Sequence, residues 1–126
     1  MNIEKFLDSY FNSITATKTE NGFLLKTPIM YKFADTREVF LLTEDEDGYV
    51  TISDQGRTMD YVNDNGIEIE KYDEVIKNLC KKNDIEVENN CFKRELPGYQ
   101  TNQIMRALFA YFGVLNTIAN LDDFED

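Results

Sequence analysis

Turn-forming pairs cut this chain into pieces too short for anything but hairpins and compact helices. Asn21-Gly22, the charged run Glu44-Asp45-Glu46-Asp47-Gly48, Asn65-Gly66, Asn89-Asn90 and Pro97-Gly98 each interrupt an apolar pattern. The pieces between them alternate in character. Ile3, Phe6, Leu7, Tyr10, Phe11 and Ile14 follow the i, i+3, i+4, i+7 spacing of an amphipathic helix. Strands are predicted over 14–20 and 23–27, closed by Asn21-Gly22, with Pro28 forcing an edge or a bend. Val39 to Thr43 reads as a buried strand, and Tyr49 to Ser53 as its hairpin partner, with Val50 and Ile52 on one face.

From Asp54 the period becomes helical. A short helix over 58–64 ends at Asn65-Gly66, and Tyr72, Val75, Ile76, Leu79 and Cys80 carry a second stripe. Residues 85–88 and 91–94 form a small hairpin. A last helix starting near Thr101 buries Ile104, Leu108, Tyr111, Phe112, Leu115, Ile118 and Ala119. Gly113 inside it predicts close helix packing or a bend. The acidic end, 122–126, is expected to fray. No repeat or linker divides the chain, so the expectation is a single domain over 1–126, of α+β class. Its small antiparallel sheet is built from hairpins, with helices packed on one face. At 126 residues with 42% hydrophobic side chains, such a core can be filled without staples.

Composition excludes several chemistries. There is no histidine, so imidazole bases, Ser-His-Asp and Cys-His constellations and imidazole-bound zinc are absent. The two cysteines, Cys80 and Cys91, make no Cys-x-x-Cys pair and read as reduced intracellular thiols. No two of the six glycines lie closer than eight residues, which removes phosphate-cradling loops. No Asp-x-Lys or Glu-x-Lys occurs, so the usual restriction-nuclease pattern is missing. The N-terminus carries no basic-then-apolar leader, and the longest apolar run, 107–115, is far short of a membrane span. A cytoplasmic location, no cofactor and no membrane association are the expectations.

Thirteen Lys and Arg against 24 Asp and Glu give a net charge of −11. That repels nucleic acid and disfavours direct binding to it. Thr43 to Asp54 aligns in part with a calcium loop, with Asp45 and Asp47 at positions 3 and 5 and Gly48 at 6. Position 12 is Asp54 where a bidentate glutamate is needed, and the flanks are strands, so a solvated hairpin tip is the better reading and no metal is expected. Asp54 is placed to cap the helix after it. Lys77, Lys81, Lys82, Lys93 and Arg94 are the one cationic concentration.

The segment Tyr49-Val50-Thr51-Ile52-Ser53-Asp54-Gln55-Gly56-Arg57-Thr58-Met59 resembles a bacterial and phage family catalogued as domain of unknown function 1828. Thr27-Pro28 opening a strand, the charged hairpin after it and a terminal helix over 103–115 fit the same pattern, so that the resemblance spans about residues 14–120. Gln55 stands where the family usually has a second acid, which weakens a carboxylate-pair role for the turn. The resemblance implies a small protein of prophages and mobile elements, and it brings no catalytic residues. Asp54, Gly56 and Thr58 form its turn motif, without an assigned role.

The leading expectation is a non-enzymatic, acidic interaction protein of phage or mobile-element origin. It would bind a host protein with a basic surface through Glu44, Asp45, Glu46, Asp47, Asp60, Asp64, Glu68 and Glu70. Its sharpest form is inhibition of a nucleic-acid-handling defence system by mimicry of DNA. Two alternatives stand beside it. A metal-dependent hydrolase would need Asp54, Asp60 and neighbouring acids to converge in a pocket. A DNA-binding accessory protein would need the Lys77–Arg94 cluster to form one continuous surface.

Overall fold

Each strand pair closes on a turn its residues can make. The computed structural model describes residues 2–5, 15–26, 39–97 and 101–121. Within them β1 (Thr15–Thr19) pairs with β2 (Gly22–Lys26), and β3 (Val39–Glu44) with β4 (Val50–Ser53). A third hairpin joins β5 (Glu86–Glu88) to β6 (Cys91–Glu95). The Asn89-Asn90 turn has φ of 52° and 64°, the two positive values that a two-residue primed hairpin requires and that asparagine tolerates. At the first hairpin the turn sits one residue earlier than the Asn-Gly pair suggests. Glu20 and Asn21 form it, and Gly22 opens β2 at φ 150°.

The six strands of the described residues form one antiparallel sheet in the order β1-β2-β3-β4-β6-β5. The chain leaves it after β4 through α1 (Arg57–Asp64), a 3-10 turn (Ile69–Tyr72) and α2 (Asp73–Lys82), returning as β5 at the far edge. β6 then fills the place beside β4. Both helices end alike. Beyond α1, Gly66 N–H donates to Asn63 O at 3.2 Å and Ile67 N–H to Val62 O at 3.1 Å. Beyond α2, Asp84 N–H reaches Lys81 O at 3.5 Å and Ile85 N–H reaches Cys80 O at 2.9 Å. This is the Schellman closure, in which the left-handed residue is Gly66 (φ 68°) in one helix and Asp84 (φ 55°) in the other. In each case the apolar residue that follows, Ile67 or Ile85, is buried and anchors the exit.

Alternation along the strands places Leu25, Phe40, Ile52 and Phe92 on one face, and all four are buried. α3 (Thr101–Ala119) packs there, burying Tyr111, Phe112, Leu115, Ile118 and Ala119 as its spacing predicts. Phe40 lies with its ring 5.9 Å from that of Tyr111 and 4.9 Å from that of Phe112, contacts worth about 0.5–1.5 kcal/mol each beyond their area. The Tyr111 hydroxyl donates to Phe92 O at 2.7 Å, which allows the phenol to be fully buried. The buried side chains form one cluster spanning the sheet and all three helices. Mixed α+β architecture, with the helices alongside a sheet of hairpins, is therefore what the chain adopts.

Gly113 does not serve the close packing expected of it. It lies on the exposed side of α3, and nothing approaches within 4 Å of where its Cβ would sit, so close packing does not require it. The amphipathic stripe at 6–14, the Pro28 bend and the acidic end at 122–126 fall outside the described residues. No helix of the described residues is long and apolar enough to cross a membrane.

Candidate functional site

Among the described residues one acid is buried and the others are exposed. Asp54 is completely inaccessible, at the point where β4 turns into α1. Gln55 and Gly56 both take positive φ there, 57° and 80°, and this double left-handed step swings the chain back over its own carboxylate. Asp54 Oδ1 accepts Gly56 N–H at 3.0 Å and Phe92 N–H at 2.9 Å, while Oδ2 accepts Thr58 N–H at 3.1 Å. The backbone completes the pairing, with Asp54 N–H donating to Phe92 O at 3.3 Å. The side chain thus accepts a first-turn N–H of α1 from two residues ahead of the N-cap, which Gly56 occupies, and continues the β4–β6 ladder one residue past the end of β4.

That arrangement assigns the turn motif. Gly56 supplies the left-handed conformation, Thr58 is the buried first-turn donor, and Asp54 is the acceptor that joins them to β6. A carboxylate receiving three N–H groups and no solvent has its lone pairs directed into the fold. It is not poised to bind a metal or attack a substrate.

The other eight acids singled out from sequence are all exposed. At the β3–β4 tip, Asp45 Oδ1 accepts the N–H groups of Asp47 and Tyr49, each at 2.9 Å. Asp45 N–H donates to Tyr49 O at 2.9 Å and Gly48 N–H to Asp45 O at 3.1 Å, with Gly48 at φ 87°. Asp45 therefore organises the loop from within, whereas Glu44, Glu46 and Asp47 project from it. Among the described residues, no three Asp, Glu or Cys side chains meet in a group that could hold a metal.

Asp60 and Asp64 lie one turn apart on α1, lining a shallow depression with Arg57 and Tyr61. Glu68 and Glu70 follow on the way to α2, both exposed. Asp54 is separated from the tip by the whole of β4, about 13 Å of strand. The acids that a hydrolase would have to converge are thus divided between a spent buried carboxylate, a helix surface and a distant loop.

The tip has neighbours that the sequence did not single out. Tyr49, next to Gly48, is 51% exposed, and Phe23, which pairs with Leu42 on β3, is 46% exposed. Phe23, Leu42, Glu44 and Val50 line one depression of about 450 Å3 at this end of the sheet. A tyrosine set between an acidic, glycine-closed turn and a strand was the available signal. Its side chain could not be given an orientation without the register.

The cationic concentration does not form one surface. Lys93 and Arg94 are successive on β6 and so face opposite sides of the sheet. Lys93 lies 3.8 Å from Glu88 on the open side. Arg94, paired with Ile52, points to the helix side, where it donates to Asn83 O at the end of α2 and stands 3.9 Å from Asp84. Lys82 and Arg106 share that cavity with Arg94. Lys77 and Lys81 line a different groove, and a 2.8 Å ion pair with Asp73 holds the Lys77 ammonium pKa above its ordinary value. The Lys77–Arg94 cluster is thus divided between the open face of the sheet and two separate grooves. No family model, no curated protein and no solved structure matches the chain.

Proposed function

We propose that this chain is a binding protein that engages a basic surface of another protein through the end of the sheet bearing the β3–β4 tip. The observation that carries this reading is the exposure of Tyr49 and Phe23 beside Glu44, Glu46 and Asp47. Exposed acids raise the rate of encounter with a basic partner and contribute little binding energy of their own at a wet rim. Half-exposed aromatic rings supply the desolvated anchors on which affinity depends. The acids and Tyr49 are held on the hydrogen-bonded β3–β4 hairpin and Phe23 on the neighbouring strand β2, so little order is lost on binding. Asp60, Asp64, Glu68 and Glu70 extend the negative surface around the helices.

The sharper form follows from the resemblance to a family of prophages and mobile elements. In it the partner is a host nucleic-acid-handling protein of a defence system, its DNA cleft occupied by carboxylates in place of phosphates. The setting is the cytoplasm, in keeping with two free thiols, Cys80 and Cys91. The test is capture from host cells by the tagged chain with identification by mass spectrometry, repeated with Glu44→Lys, Glu46→Lys and Asp47→Lys combined. Asp45 is left in place because it holds the turn. The reading requires a partner that the wild type captures and the reversed tip loses at unchanged thermal stability. Equal capture by both would remove it.

A further inference from the structure

We infer that the outer edge of β5 accepts an extended peptide segment of basic–apolar–basic pattern as an added strand. This goes beyond the reading of the β3–β4 tip and rests on different residues.

The backbone fixes which groups are available. β5 and β6 pair as Glu86 with Lys93, Val87 with Phe92 and Glu88 with Cys91, across a two-residue turn. In such a hairpin the residues flanking the turn exchange hydrogen bonds, and the next pair inward does not. The Phe92 groups confirm the alternation, since its N–H and C=O both point away from β5 to meet Asp54. The N–H and C=O of Val87 must then point away from β6, to the side where no strand of the described residues pairs. β5 thus presents one donor and one acceptor in strand geometry, as a sheet edge does when it recruits a peptide.

The side chains select what can use them. Val87 is 52% exposed and borders an apolar groove of about 410 Å3 between α2 and the hairpin, floored by Ile76, Cys80, Ile85 and Phe92. A residue paired opposite Val87 directs its side chain to that groove. Its neighbours fall on the other face, opposite Glu86 and Glu88. Both glutamates are exposed on that face, where the hairpin's own cation, Lys93, stands 3.8 Å from Glu88, while Lys77 and Lys81 border the groove on the opposite face. Apolar in the centre and cationic on either side is the complement.

The same charges argue against a second copy of this chain. Two β5 edges meeting about Val87 would set Glu86 against Glu88 twice, a like-charge pairing that disfavours the contact.

The test is an NMR titration of the whole chain with a capped heptapeptide alternating lysine and isoleucine, at up to about 1 mM, the range for a contact this small. Amide signals of residues 86–88 should shift, and exchange of the Val87 N–H should slow. Val87→Pro removes that outward N–H without breaking a β5–β6 hydrogen bond, so the hairpin persists and affinity falls at least tenfold. Val87→Thr keeps the N–H and retains binding. Glu86→Lys with Glu88→Lys transfers preference to a peptide with glutamate in place of lysine. No shift at the edge, undiminished binding by Val87→Pro, or concentration-dependent dimerisation through β5 would each overturn the inference. The reversed-tip variant binds this peptide like the wild type, so failure at β5 and failure at the tip are distinguishable.

Discussion

Replacing Asp54 tests whether its carboxylate is a structural acceptor or a reactive group. In Asp54→Ala three N–H donors, those of Gly56, Thr58 and Phe92, lose their acceptor at a position closed to solvent. A hydrogen bond to a charged group is worth about 1.5–3 kcal/mol net, and an N-cap alone about 1 kcal/mol. The three are not additive, because Gly56 is only partly buried and its N–H can regain water. The expected loss is about 3–5 kcal/mol, a large share of the roughly 5–15 kcal/mol of a domain this size. With unfolding entropy of about 2.1 cal/mol/K per residue, that lowers Tm by roughly 10–20 °C. Asp54→Asn keeps an oxygen for Gly56 and Phe92 but turns an amide donor toward Thr58 N–H. It should cost about 1–2 kcal/mol, close to the loss of the cap. Urea unfolding followed by far-UV circular dichroism measures both. An Asp54→Ala protein within 1 kcal/mol of wild type by linear extrapolation would refute the structural assignment.

Other consequences follow from the same geometry. Gly113→Ala on the open side of α3 should raise stability by about 1 kcal/mol in the same assay, because an added Cβ meets nothing. Gly22→Ala should prevent the β1–β2–β3 ladder from closing, because its Cβ would fall 1.9 Å from Leu42 O; loss of cooperative unfolding would show this. Burial raises the Cys80 thiol pKa from 9.0 to about 11. The proton is therefore retained in the folded chain and lost from the unfolded one between those values, so stability declines from pH 9 to pH 11. Cys80→Ala should flatten that decline, and in native protein a thiol reagent should modify the more accessible Cys91 first.

The elements were legible wherever a local rule governed them. The alternation at Val50 and Ile52, the stripe from Tyr111 to Ile118 and the asparagine pair at 89–90 each dictate a geometry that the chain adopts. The 3-10 turn over Ile69–Tyr72 has no periodic signal in the sequence. The first hairpin turn slipped by one residue because Gly22 is demanded by β3, not by the turn itself. Asp54 was readable as a cap, but its bond to Phe92 spans thirty-eight positions and depends on β6 entering beside β4. The split of Lys93 from Arg94 follows from strand alternation once that segment is taken as a strand. Exposure of Tyr49, Phe23 and Val87 is a property of the packed sheet, and nothing in their immediate neighbours encodes it.

In the proposed function exposed acids guide association, while buried Asp54 holds the fold. The most direct test is the association rate constant with a partner isolated by the wild-type chain, measured from 50 to 500 mM salt by stopped flow. The wild-type rate should fall steeply with ionic strength, and the reversed tip should associate at least tenfold more slowly at low salt, on the order expected for steering between opposite charges. Rates that ignore salt, and that are the same for both proteins, would contradict the account.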